Sequence, residues 1–295
     1  LVVVVVLGST VARLHIDVVR WSERTEGTSP TLEDAQRSFY SGRYEDAAQL
    51  SGSLCSAGAD DLEACELRTS SLHFQIRRAM GDSSDRDRAW TMCAACPDLM
   101  SAFVADTDRA PTLARARLQR NPNDDAALFL LGKIDLNYVW LQLGTRGRKT
   151  GWDEYWEARN SLDTVLKRNP NHLRARVARA WIDYIVGTKM PRGTRWVLGG
   201  GSKKKGLSVV REAANAEGDF FERAEAAFAL WDMQVRERDL AEAVVTAEQL
   251  ARDFPDNREL VKFLSAHRGS KLQPVRAVGL SPFRFVSRKT PMPRA

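Results

Sequence analysis

The tetrapeptide Arg-Asn-Pro-Asn is written twice in this chain, at residues 120–123 and again at residues 168–171. An apolar run at helical spacing follows each copy. Each run then breaks at a Gly-Thr-basic triplet, Gly144-Thr145-Arg146 in the first and Gly187-Thr188-Lys189 in the second. Proline is disfavoured in helix interiors and the residue before it avoids the helical region, so each copy is expected to close one helix before the next opens. Pro122 and Pro170 lie 48 residues apart. Repetition at such a period is the mark of stacked helix pairs, because one pair alone cannot bury its apolar face. The expected fold is therefore an all-α array.

Helical patterns extend on both sides of this doubled region. Leu62, Cys65, Leu72, Ile76 and Ala79 recur at helical spacing before Gly81, which closes the run. Shorter helices are expected over residues 86–96 and 97–104, the latter with Pro97 in its first turn, and a further one over 110–119. Leu128, Leu131, Gly132, Ile134, Tyr138 and Leu141 make a long apolar stripe. A partner helix over 152–167 carries Ala158, Leu162 and Val165. The second copy opens over 173–186 and returns over 202–216. Asp219 and Glu222 have capping spacing before a final hairpin, and residues 257–266 suit a closing helix.

Three stretches resemble the tetratricopeptide-repeat family. Gly42-Arg43-Tyr44-Glu45-Asp46-Ala47 has the spacing of that family's turn and second helix: glycine in the turn, an aromatic packing back, a small residue where axes approach. Leu128, Leu131 and Gly132 match its large, large and small positions. Ala227, Leu230 and Trp231, then Leu240, Ala243, Ala247, Leu250 and Pro255, follow the pattern again, with Arg238 standing where the family has glycine. The family's usual repeat is about 34 residues, so the middle units carry long basic insertions. The resemblance implies a right-handed α-solenoid of antiparallel helix hairpins with a protein-binding groove, and it implies no enzyme. Carried over residue by residue, the groove positions are Ala126, Phe129, Lys133 and Leu136 in one repeat and Glu225, Phe228, Asp232 and Val235 in another. Lys133 and Asp232 are the expected readers of a partner's charges. After Pro170 the same counting puts Arg179 at a core position, so no groove residue is assigned there.

The insertions supply a second candidate surface. Residues 144–151 carry Arg146, Arg148 and Lys149. Residues 187–206 carry Lys189, Arg192, Arg195, Lys203, Lys204 and Lys205 and no acidic residue. Equivalent loops of a stacked array emerge on one edge, so these cations are expected to form one basic rim able to meet an anionic ligand. Five of eight tryptophans, Trp140, Trp152, Trp156, Trp181 and Trp196, fall in the doubled region. Helix packing accounts for most of them. Trp196, in a loop beside Arg195, is expected to be a lid or an aromatic anchor for a partner.

Other chemistry finds little support. Gly199-Gly200-Gly201-Ser202-Lys203-Lys204 lacks both the order and the preceding strand of a phosphate-binding loop. Ser202 could cap a helix start that holds a single anion. The four histidines, His15, His73, His172 and His267, have no metal-ligand spacing, and there is no nucleophile elbow or paired-carboxylate motif. Neither a catalytic role nor a cofactor is expected.

Cys55, Cys65, Cys93 and Cys96 all lie in the first third. Two disulfides fit an exported chain, with three connectivities open. The pairs Cys55 with Cys65 and Cys93 with Cys96 are preferred, the first closing a helix-helix turn. A thioredoxin-like role for Cys93-Ala-Ala-Cys96 would need a helix start after a strand, and no strand pattern precedes it. Residues 1–12 have the Val-rich core and small-residue exit of a signal peptide without its charged start, too short to span a bilayer. Residues 13–30 read as a connector, 31–121 as hairpins bearing the cysteines, 122–267 as the repeat array. The last stretch, 268–295, is a basic, proline-containing tail expected to be disordered. From Gly269 on it has six cations, Lys271, Arg276, Arg284, Arg288, Lys289 and Arg294, and no acidic residue; these equal the formal net charge of +6, so the body before them is nearly neutral and is not expected to bind nucleic acid specifically. The expected function is an exported scaffold, periplasmic or secreted with a cytoplasmic setting as the alternative, binding a protein partner in a bacterial-type envelope or periplasmic assembly. The alternative is a periplasmic solute-handling subunit that gathers an anionic small molecule, like the tetratricopeptide-like component of some carboxylate transporters.

Overall fold

The computed structural model describes residues 30–57 and 61–267. The expected signal segment, most of the connector and the basic tail lie outside the described residues. Twelve α-helices account for nearly all of what is described, and no strand occurs among these residues. They are α1 (Leu32–Tyr40), α2 (Tyr44–Ala57), α3 (Leu62–Met80), α4 (Arg86–Met92), α5 (Cys96–Arg120), α6 (Asp125–Val139), α7 (Trp152–Arg168), α8 (Leu173–Lys189), α9 (Lys203–Ala214), α10 (Phe220–Glu237), α11 (Leu240–Asp253) and α12 (Arg258–His267). A π-helical segment, Trp140–Thr145, prolongs α6, and a 3₁₀ helix, Arg192–Leu198, interrupts the path from α8 to α9. Apart from the short α4, each helix packs chiefly on its sequence neighbours.

The two Arg-Asn-Pro-Asn copies fold alike. Asn121 and Asn169 end α5 and α7 in extended backbone, and their side-chain oxygens accept the amides of Asn123 and Asn171 at 3.1 and 3.2 Å. The next helix is then capped the same way, Asp124 accepting from the amide of Ala127 and His172 from that of Ala175. A third turn, through Phe254 and Pro255, uses Asn257 to accept the amide of Leu260. The small positions act as spacers. A Cβ on Gly132 would sit 3.2 Å from the carbonyl oxygen of Ala158, and one on Gly206 would sit 2.6 Å from that of Ala180, so α6–α7 and α8–α9 cross with their backbones nearly touching. Arg238 takes the left-handed conformation at φ 61°, which a glycine in that place would adopt without strain.

One expectation needs correction. The helices placed over 97–104 and 110–119 are a single 25-residue helix, α5, that runs through Pro111. An internal proline costs about 3 kcal/mol. Burial of Phe103, Ala110 and Ala114 on either side of it gives the helix a continuous apolar face that offsets this cost.

The first helices also meet the last. The Tyr40 ring stacks on Phe221 and Phe228, its carbonyl accepts the Asn257 side-chain amide at 2.7 Å, and Arg78 pairs with Glu259 at 3.1 Å. No helix among the described residues is long and apolar enough to cross a membrane.

Candidate interaction surfaces

Lys133 and Glu225, expected to face a partner, face each other. Lys133 Nζ lies 2.5 Å from the Glu225 carboxylate. Arg174, on α8, binds that same carboxylate through Nε at 2.8 Å and reaches Glu63 at 2.9 Å and Glu66 at 3.3 Å on α3. Its guanidinium also lies 5.0 Å from the centre of the Phe129 ring. Burial pushes the Glu225 carboxyl up, but Lys133 and Arg174 outweigh it and hold the group at about 2. Lys133 is raised for the reciprocal reason: Glu225 and Glu66 overcome its burial. Four helices thus meet over a charge cluster matched within the chain.

The remaining groove positions divide. Phe129 and Leu136 are buried, and Phe228 lies under Tyr40. Asp232 pairs with Arg236 one turn on at 3.1 Å, and Val235 is half-buried beside it. Ala126 is exposed and lines a surface cleft of about 430 Å³ with Glu63 and Arg117.

Arg174 was absent from the sequence reading, yet its signal was present. Counted from Pro170 as from Pro122, it occupies the place of Ala126, and Arg179 occupies that of Leu131. Arg179 fits this core position because Asp163 and Asp183 meet it at 2.6 and 2.7 Å.

The basic loops converge on the start of α7. The first ends at Gly151, next to Trp152. The second docks there through its own carbonyls: Tyr155 donates its hydroxyl to Leu198 O at 2.8 Å, and Arg159 donates to Gly199 O at 2.6 Å. Their cations have different fates. Arg146 lies 3.7 Å over the Trp90 ring and Arg148 pairs with Asp87 at 3.1 Å, which fastens the first loop to α4. Arg195 turns inward, donating to Met190 O and Gly187 O at the end of α8. Lys203 pairs with Glu237 at 2.6 Å. Lys149, Lys189, Arg192, Lys204 and Lys205 are exposed and make no ion pair among the described residues.

Both α7 and the loop docked to it carry exposed apolar side chains. Trp196 is 77% exposed, Val197 51%, Trp152 43% and Trp156 37%. Tyr155 sits edge-on to Trp156 at 5.3 Å and bonds to the carbonyl of Leu198, so it joins the α7 tryptophans to the loop that carries Trp196. Helix packing was expected to account for most of the five tryptophans; it leaves Trp152 and Trp156 exposed, because the face of α7 that packs on α6 is the one bearing Tyr155, Ala158 and Leu162.

One buried acid has a different character. Asp135 of α6 is almost fully buried with Oδ2 lacking a hydrogen-bond partner, near Glu157, which is itself paired to Arg115. Burial first and the Glu157 charge second raise its carboxyl well above the usual range. No cluster of His, Cys, Asp and Glu among the described residues could hold a metal ion. Compared with known proteins, the chain matches no family model and no curated sequence.

Proposed function

We propose that the protein is a non-catalytic, right-handed tetratricopeptide-like solenoid that binds a protein partner at the end where the two basic loops meet α7. The observation that carries this reading is the exposure of Trp152, Trp156, Trp196 and Val197 on α7 and the loop docked to it, the loop also bearing the exposed cations Lys189, Arg192, Lys204 and Lys205, which make no ion pair among the described residues. Rigid aromatic side chains ringed by charge are the usual anchors of a protein interface, and exposing several together costs solubility unless something covers them. The partner's matching surface is acidic, because the segment over residues 187–206 contains no carboxylate of its own. An exported, periplasmic setting fits the two disulfides, which persist in oxidising compartments.

The solute-handling alternative has less behind it. The inward cations it would use, Lys133 and Arg174, are already matched by Glu63, Glu66 and Glu225. Quantitative affinity capture with the full chain tests the reading. Proteins retained by the native chain should be lost, at least tenfold, from a Trp196→Ala, Lys204→Glu, Lys205→Glu variant with unchanged melting temperature. Retention by that variant would remove the loop end as the binding surface.

A further inference from the structure

All four cysteines of the two disulfides are buried, but the pairs lie under different cover. Cys55–Cys65 ties α2 to the first turn of α3, and both residues are buried. It packs with Ala64, Ala110 and Ile134, and Arg109 Nη2 lies 2.7 Å from Cys55 Sγ. Opening that bond to a reagent requires parting three long helices. Cys93–Cys96 spans only the short turn between α4 and α5. The two residues between its cysteines, Ala94 and Ala95, are exposed, as is Met92 before them. Its outer cover is α4, a seven-residue helix with no buried residue of its own. Trp90 of α4 packs on the apolar cluster containing both sulfurs and is held from outside by Arg146. A helix with so little buried surface opens locally far more often than the whole molecule unfolds.

We propose that Cys93–Cys96 is a thiol–disulfide exchange site that takes a dithiol reductant, while Cys55–Cys65 is a structural bond inert to the same reductant. Cys96 is the first residue of the 25-residue α5 and Cys93 lies just outside it. The reductant's thiolate attacks Cys93 Sγ when α4 lifts. The sulfur–sulfur bond breaks and Cys96 departs as a thiolate in the first turn of α5, where the helix dipole favours negative charge against the opposing charge of Asp98 and the burial of Cys96 itself. The reductant's second thiol then attacks the sulfur it already joined to Cys93, closing a cyclic disulfide and releasing the Cys93 thiolate. Two electrons pass to the protein, the dithiol is oxidised, and its two protons end on Cys93 and Cys96. This site is independent of the partner-binding reading.

The test is stepwise reduction of the full-length folded chain with dithiothreitol, trapping with iodoacetamide and peptide mass mapping. Cys93 and Cys96 should be alkylated at a reductant concentration at least tenfold below that needed for Cys55 and Cys65, with helical circular dichroism retained. Coincident reduction of both bonds, or earlier reduction of Cys55–Cys65, overturns the proposal. A Trp90→Ala variant, with its cover thinned, should lose the Cys93–Cys96 bond several-fold faster while the Cys55–Cys65 rate stays fixed. An unchanged Cys93–Cys96 rate in that variant overturns the route through α4.

Discussion

The interior charge cluster around Arg174 and the basic loops at the start of α7 carry the same residue types to opposite ends. In the cluster, Lys133 and Arg174 meet Glu63, Glu66 and Glu225, so every charge has an opposite one within ion-pair distance, and the most exposed carboxylate, Glu63, leaves one negative charge to the solvent side. At the loops, Lys189, Arg192, Lys204 and Lys205 are exposed and make no ion pair among the described residues. A buried charge must find its partner inside the chain because water cannot solvate it, whereas an exposed one can wait for another molecule. The first region is therefore tied to folding and the second to recognition.

Breaking the cluster should give the largest effect. Arg174→Ala leaves Glu66 and Glu225 facing burial with only Lys133 between them and should destabilise the fold by about 3–5 kcal/mol in urea unfolding. A loss below about 1 kcal/mol would mean that water reaches the cluster and that the contrast with the loops is weak.

Acid should expose the same division. His73 is buried against Thr145 at 3.0 Å, and burial pushes its imidazole down to about 3. The unfolded chain takes up that proton near 6.5 and the folded one does not. Stability held above pH 6.5 is therefore lost as pH falls towards 3, by about 1.4 kcal/mol per unit. Glu225, held at about 2, adds its loss below about 4.5. A His73→Gln variant should flatten the urea-midpoint profile between pH 6.5 and 4.5, whereas lysine substitutions in the loops should leave the profile alone.

Smaller changes sharpen the contrast further. Gly206→Ala presses a methyl against the carbonyl of Ala180 and should cost about 1–3 kcal/mol. Arg238→Gly relieves a left-handed arginine and should raise stability by about 1 kcal/mol, read as a higher melting temperature. Lys204→Glu with Lys205→Glu should move stability by less than about 0.5 kcal/mol. A large loss from that pair would show the loop cations to be structural.

How much of this was legible depends on how local each cause is. The Asn-Pro turns were readable because proline and an asparagine side chain act within four residues. Gly132 and Ala158 were readable as close-packing positions because helical spacing alone places them. The continuity of α5 through Pro111 was not, since it depends on what Phe103 and Ala114 pack against. The outward face of Trp152 and Trp156 was hidden for the same reason: a tryptophan looks the same in sequence whether a neighbour covers it or not. The pairing of Lys133 with Glu225 was further still from view, because 92 residues separate the two.

Periodicity and punctuation alone determined that this chain forms successive helices with Asn-Pro turns between them, because backbone sterics and capping operate over a few residues. Tertiary structure alone decided which charges are used up and which remain. That outcome required α1 to meet α10 and α12, and α3, α6, α8 and α10 to bring Glu66, Lys133, Arg174 and Glu225 together. Coulomb pairing acts over a few ångströms of space, and only the folded path of the chain fixes which residues lie that close.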